Sequence, residues 1–162
     1  MQIYIMENLF LHPTSNYNIF IMFDAAHMLK LIRNALAFKH ILYDGDNNAI
    51  KFQYFEKLVE LQETGHFHFA NKLTKKHILW YKNKMNVKLA AQTFSESCAV
   101  ALEQLLEDGH ANFKGCTATI KFCRMVNNTF DVLNSRSLFS NGFKRPLKHN
   151  TVTEMFLFFQ KL

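Results

Sequence analysis

Ile19-Phe20-Ile21-Met22-Phe23-Asp24 is an unbroken apolar run closed by an acid. It passes directly into a basic amphipathic segment, Ala25-Ala26-His27-Met28-Leu29-Lys30-Leu31-Ile32-Arg33-Asn34. A run of that length fits a strand over residues 19–24 that is buried on both faces. An acid at its end sits at the rim of a sheet, where open α/β folds place metals and substrates. Asp24 is therefore a candidate catalytic acid. Asp is also a preferred helix N-cap, and the pattern predicts a helix over residues 25–38, so the cap is the second role open to it. The two roles are compatible.

Outward from this point the chain reads as mainly helical. It has 162 residues, enough for one domain with a sizeable core, and only 5 Gly and 2 Pro, which favours long helices over tight turns. Its 17 Phe residues predict a core rich in phenylalanine. The net charge is +6, with a pI near 9.3, which suits an anionic partner such as nucleic acid or nucleotide phosphate. Cys98, Cys116 and Cys123 make no metal or redox motif, and an odd, sparse set fits a reducing compartment. No stretch reads as a membrane span or a signal peptide.

Residues 1–18 read as irregular. Asp44-Gly45-Asp46-Asn47-Asn48 is a turn cluster, and it is no calcium loop, because Ala49 and Phe55 stand where that loop needs Gly and Glu. Residues 50–64 carry a helical pattern that ends at Gly65. From His66 to Trp80 the sequence is less regular and holds Lys72, Lys75 and Lys76 with His66, His68 and His77. No Cys or carboxylate lies close enough to make these histidines a zinc site.

The periodicity predicts one long helix from about Lys82 to Asp108, stopping at Gly109. Val87, Ala91, Phe94, Cys98, Ala101 and Leu105 form its buried stripe. On that phase Lys84, Lys88 and Ser95 share a flank, readable as a phosphate contact or as a solvated edge. A second helix is predicted over about Thr117–Asn134, with Phe122, Val126 and Leu133 inward. Asn127 and Asp131 lie at i and i+4 with Phe130 beside them, readable as a purine site or as an exposed polar face. Residues 135–150 read as a polar loop or linker, and 152–162 as a last helix. There is no P-loop, no dinucleotide-binding glycine motif and no nucleophile elbow.

Four segments together resemble one family, the P-element-type DNA transposases, which include the THAP-domain transposases. They are Phe23-Asp24-x-x-His27-Met28-Leu29-Lys30-Leu31-Ile32-Arg33-Asn34; Lys72-Leu73-Thr74-x-x-His77-Ile78; Lys84-Met85-x-Val87-Lys88-Leu89-Ala90-Ala91-Gln92-Thr93-Phe94-Ser95; and Val126-Asn127-x-x-Phe130-Asp131-Val132-Leu133-Asn134-Ser135-Arg136. They occur in the family's order over roughly residues 19–147. The resemblance implies a mainly α fold: a helical GTP-binding insertion domain, preceded by a β-strand and helix of an interrupted RNase H-like fold. It implies residues 1–38 as the RNase H-like remnant, 39–150 as the insertion and 151–162 as a C-terminal helix. Asp24 then matches the second acid of a two-metal catalytic site. Guanine-nucleotide contacts are implied at Lys72, Val87, Ser95, Asn127, Phe130 and Asp131, with Lys88 a neighbouring candidate, and Mg2+ at Asp24 and Asp131.

The same resemblance implies transposon-end DNA and a second copy of the chain as partners, and a nuclear location. There are departures. The other catalytic acids and the family's zinc-bearing DNA-binding domain are missing. Asn86 stands where relatives often carry a basic residue, and Ala25-Ala26 replaces a pair that often includes Pro or Cys. The chain alone is therefore expected not to cut DNA. A different class of function also remains open, a domesticated or decayed helical module that binds DNA or protein without nucleotide.

Overall fold

The computed structural model describes residues 9–15, 17–20, 24–65, 71–135, 139–146, 148, 153 and 157. The described chain is mainly α. Two three-residue strands, β1 (Leu9–Leu11) and β2 (Asn18–Phe20), pair antiparallel with Phe10 opposite Ile19. Residues 9–11 and 18, which read as irregular in the sequence, thus belong to a hairpin, and residues 1–8 and 16 lie outside the described residues. The turn between the strands is organised by His12, whose ring stacks on Tyr17 at 5.0 Å and bonds the Ser15 hydroxyl at 2.7 Å. Strands this short leave no room for an alternating pattern, so periodicity does not find them. The expected strand over 19–24 is seen only as β2, because residues 21–23 lie outside the described residues.

Helix α1 (Ala25–Lys39) follows, where the pattern predicts it, and its Leu29, Leu36 and Ala37 are buried. A hairpin of β3 (Ile41–Tyr43) and β4 (Ala49–Lys51) comes next, turning at the expected Asp44–Asn48 cluster. The Asp44 carboxylate accepts from the backbone N–H groups of Asp46 and Asn48, which fixes that turn. The helix expected over 50–64 begins later, as α2 (Gln53–Gly65), because Ile50 and Lys51 are used in β4.

The long helix expected over 82–108 is not one helix, and this is the main correction. Residues Trp80–Lys82 form a 3-10 turn, α4 covers only Val87–Thr93, and α5 runs Glu96–Glu107. Three small polar side chains make the break. The Asn86 side chain accepts from Leu89 N at 3.0 Å and caps α4. The Thr93 hydroxyl donates back to the Leu89 carbonyl at 2.9 Å. Ser95 adopts an extended backbone as the cap residue of α5. Side chains of this type offer the backbone an alternative to continuing a helix. Lys84, Lys88 and Ser95 therefore do not share a helical flank: Lys84 lies in the turn before α4, and Ser95 opens α5. Phe94, Cys98, Ala101 and Leu105 are buried as expected, whereas Val87 and Ala91 are half-buried; Leu89, Ala90 and Thr93 are the buried residues of α4.

The stop at Gly109 holds. Gly109 has φ +73°, its N–H bonds the Leu106 carbonyl, and the His110 N–H bonds that of Leu105, closing the last turn. After a 3-10 turn at Ala111–Phe113 comes α6 (Thr117–Leu133). The expected loop after it contains one 3-10 turn at Gly142–Lys144. Of the helix expected over 152–162, only residues 153 and 157 are described, both helical.

The core is phenylalanine-rich, as the composition predicts. Phe52 meets Phe55 at 5.6 Å, Phe55 meets Phe94 at 6.1 Å, and Phe94 meets Phe122 at 5.7 Å, linking α2, the α4–α5 junction and α6. Contacts between α5 and α6 run in opposite order along the two helices. Cys116 Sγ lies 3.7 Å from the Leu102 carbonyl, and Arg124 reaches Glu103 and Glu96. So α6 returns beside α5 and brings its C-terminal half to the end where α5 begins. Leu29, Leu36 and Ala37 of α1 belong to this same core.

Candidate nucleotide site

Three helix ends and one helix face carry the residues singled out from the sequence. On α6, Asn127 Nδ2 donates to Asp131 Oδ2 at 3.3 Å, so the amide and carboxylate do share a face. The Asp131 side chain is only 18% exposed, with Lys144 Nζ 3.8 Å from its other oxygen. Burial pushes the Asp131 carboxyl above its ordinary range, and Lys144 and Asn127 pull against that shift. Phe130, half-buried, packs beside the core. The group offers a carboxylate, an amide and an aromatic ring, which is the equipment needed to read the edge of a purine.

Ser95 lies at the end of α5 that α6 approaches. Its hydroxyl donates to the Gln92 carbonyl at 2.9 Å and sits 3.1 Å from the Ser97 hydroxyl. Val87 is the first residue of α4, and Lys88, in the same first turn, is exposed. Lys72 is exposed in the segment leading to α3 (Lys75–Ile78). Neither Lys72 nor Lys88 makes a hydrogen bond or ion pair among the described residues. The structure thus joins Asn127 and Asp131 by direct contact and brings Ser95 to their end of the helix pair. It shows no direct contact from Lys72, Val87 or Lys88 to that group.

Asp24 caps α1: its carboxylate accepts from His27 N at 2.6 Å, and the residue is exposed. Asp24 and Asp131 sit in different surroundings: Asp24 is exposed with one oxygen on the His27 N–H, and Asp131 is mostly buried with a lysine for a neighbour. Among the described residues no group of three His, Cys, Asp or Glu side chains suited to a metal occurs.

Several residues were missed by spacing. Arg33 is fully buried on α1; its Nη2 donates to the Asn83 and Lys84 carbonyls at 2.8 and 3.3 Å, and Asn34 Nδ2 reaches the Lys84 carbonyl at 3.2 Å. These bonds fix the turn from which α4 starts. His77 is buried too. Its Nδ1 lies 3.0 Å from the Thr74 N–H, which donates to it, and its Nε2 lies 3.2 Å from Gln92 Oε1. An accepting Nδ1 assigns the proton to Nε2, which donates to Gln92. Gln92 therefore ties α3 to α4 through its side chain, and α4 to Ser95 through its carbonyl. A buried His or Arg beside helix-forming residues carries no spacing signature, and Lys144 comes from a loop.

The sequence model of the family described as "TNP-like, GTP-binding insertion domain" matches residues 26–146. The chain belongs to this family. It is similar to human DNA transposase THAP9, with 37% identity over 157 residues, and to the transposable element P transposase of Drosophila melanogaster, with 28% identity over 134 residues. These alignments cover 93% and 82% of this chain, but 16% and 17% of the two relatives' lengths. A chain of the Drosophila P element transposase strand transfer complex has the same fold. Its TM-score is 0.79 at 24% identity, with 93% of this chain and 34% of that one covered. The expected membership of the P-element-type transposases and the mainly helical fold are thus both found.

Proposed function

We propose that this domain binds a guanine nucleotide, and that it does so in support of DNA transposition by an intact transposase. The observation that carries the reading is the half-buried Asp131–Asn127 pair with Phe130 on α6, inside a domain whose family is named for GTP binding. Guanine presents N1–H and N2–H donors to a carboxylate, and adenine offers neither. Phe130 supplies a stacking surface. Ser95, Val87, Lys88 and Lys72 lie on segments that open helices or lead into them, and are assigned to the phosphates, where backbone N–H groups and cations suit negative charge. Magnesium then arrives with the triphosphate. DNA as partner and a nuclear setting follow from the relatives' named activity. No strand-transfer chemistry is assigned to this chain, since one carboxylate, Asp24, does not make a two-metal centre.

Asp131 must be ionised to accept from guanine, and burial raises its carboxyl, so GTP binding weakens as the pH falls into the carboxylate range. Calorimetry with GTP and ATP tests the assignment. GTP is expected to bind at least about tenfold more tightly, because a lost hydrogen bond to a buried charged group costs roughly 1.5–3 kcal/mol. Asp131→Asn should abolish the preference. Equal affinity for the two nucleotides would refute the guanine assignment. Binding of neither would favour the nucleotide-free module.

A further inference from the structure

The region around Trp80 has chemistry that the nucleotide reading does not use. Phe38, at the end of α1, meets the Trp80 ring edge-on at 6.4 Å and 79°. Tyr81 meets it at 6.2 Å and 87°. Each such contact occupies at most one ring face, and Phe38 and Tyr81 remain 71% and 53% exposed. Cations sit on the same group: Lys84 Nζ is 5.7 Å from the Trp80 ring centre and Lys82 Nζ is 6.0 Å from that of Tyr81. Lys39 follows Phe38 directly and is exposed.

The two segments that build this surface are free of acids. No Asp or Glu occurs from Ala25 to Tyr43, or from Gly65 to Ser95. The four acids that flank them in sequence are engaged: Asp24 with the His27 N–H, Asp44 within its own turn, Glu63 with Lys75 at 2.8 Å and Glu96 with Arg124 at 3.0 Å. The surface is also held rigid from below. Arg33 and Asn34 hold the Asn83 and Lys84 carbonyls, and Asn83 Nδ2 donates to the Lys76 and Leu79 carbonyls at 3.2 Å each.

Exposed aromatic rings normally cost solubility, and a purely electrostatic phosphate surface has no need of them. Rings interleaved with lysines on an acid-free, braced surface fit a partner that has both flat apolar faces and regularly spaced negative charges. We propose that Phe38, Trp80 and Tyr81 form a stacking platform for the bases of a single strand of nucleic acid, with Lys39, Lys82 and Lys84 on its phosphates. A duplex hides its base faces and would use only the lysines. This surface is independent of the guanine assignment.

Trp80 is the only tryptophan of the chain, so it reports binding directly. The full chain is titrated with an oligodeoxythymidine of about 16 nucleotides, the upper site size for single modules of this kind. The matching oligouridine and a duplex of equal length are titrated in parallel. Both single strands are expected to quench Trp80 and to bind more tightly than the duplex; the tighter of the two names the source of the strand. Phe38→Ala and Tyr81→Ala should each weaken binding at least about fivefold, the lower end of the loss for one stacked base. Tyr81→Phe should bind like the parent. Lys82→Gln should lower the slope of log affinity against log salt by about 0.7. GTP titrations of Phe38→Ala, Tyr81→Ala and Lys82→Gln should match the parent, which separates failure here from failure of the nucleotide assignment. Duplex bound as tightly as single strand overturns the platform, as does Tyr81→Phe losing as much as Tyr81→Ala. So does parental binding by both alanine variants.

Discussion

Phe94→Ala tests the helical phase on which the site rests. Phe94 closes α4 and is 1% exposed, with edge-to-face contacts to Phe55 at 6.1 Å and Phe122 at 5.7 Å. Truncating a buried Phe costs roughly 3–5 kcal/mol, and aromatic pairs add about 0.5–1.5 kcal/mol each beyond area. With two such pairs lost, the upper half of the range is expected, about 4–5 kcal/mol. For a domain of this length 1 kcal/mol moves the midpoint by roughly 2–4 °C, so Tm should fall by about 8–20 °C. Urea unfolding should show a lower midpoint with an unchanged slope. A double-mutant cycle with Phe122→Ala should return a coupling of about 0.5–1.5 kcal/mol. A loss under about 1 kcal/mol, or no coupling, would refute the ring chain that joins α2, the α4–α5 break and α6. The position of Ser95 beside α6 would fall with it.

Two further outcomes are expected. Lys88→Ala should weaken GTP binding while leaving the melting curve nearly unchanged, because an exposed cation contributes little to folding; a variant that unfolds, or that binds GTP like the parent, shows the α4 start to be misassigned. His77 supplies a pH dependence: burial is the main cause holding its imidazole below the ordinary value, so the native state favours the neutral ring. Its contribution to stability is therefore fully present above about 6.5 and is lost as pH falls from there towards the lowered value. Comparing the parent with His77→Gln by urea unfolding at a series of pH values should show the parent's extra loss on acidification, and parallel profiles would sink the assignment.

Much of the site was legible because its residues share one helix. Asn127, Phe130 and Asp131 lie on an uninterrupted α6, where spacing fixes which side chains meet, and the Asn127–Asp131 bond follows. The stop at Gly109 was legible for a similarly local reason, since glycine takes the positive φ of that cap freely. The break between α4 and α5 was not. In the sequence the apolar spacing Val87, Ala91, Phe94, Cys98 continues across it in phase, so periodicity sees one helix, although α4 itself buries Leu89, Ala90 and Thr93. The information lay in residue type instead, in Asn86 and Ser95, each a preferred cap followed by a helical pattern. Short strands such as β1 and β3 leave too few residues for any alternation. Lys144 reaches Asp131 through a loop whose path no local pattern encodes.

Arg33 shows why the face around Trp80 and the start of α4 belong to one piece of physics. A buried guanidinium normally needs a carboxylate, yet α1 holds no acid, and burial alone lowers its affinity for the proton. Its partners are instead the Asn34 amide and the carbonyls of Asn83 and Lys84, the first of which also accepts from the Asn86 backbone N–H at 3.0 Å. The arrangement solves two problems together. The Lys84 carbonyl gains side-chain donors, and the cation gains acceptors without an acid. A carboxylate in Arg33's place of need would have neutralised the surface above it. Neutral oxygens hold Nε and Nη2 of the guanidinium, Nη1 is buried without a partner among the described residues, and the charge stays uncancelled, so the positive potential over Lys82, Lys84 and the start of α4 is retained. The same charge helps keep His77 neutral, and with it the Gln92 contact that ties α3 to α4. One buried cation thus orients the turn, preserves the field on the exposed lysines and adds to the burial that keeps its buried neighbour neutral.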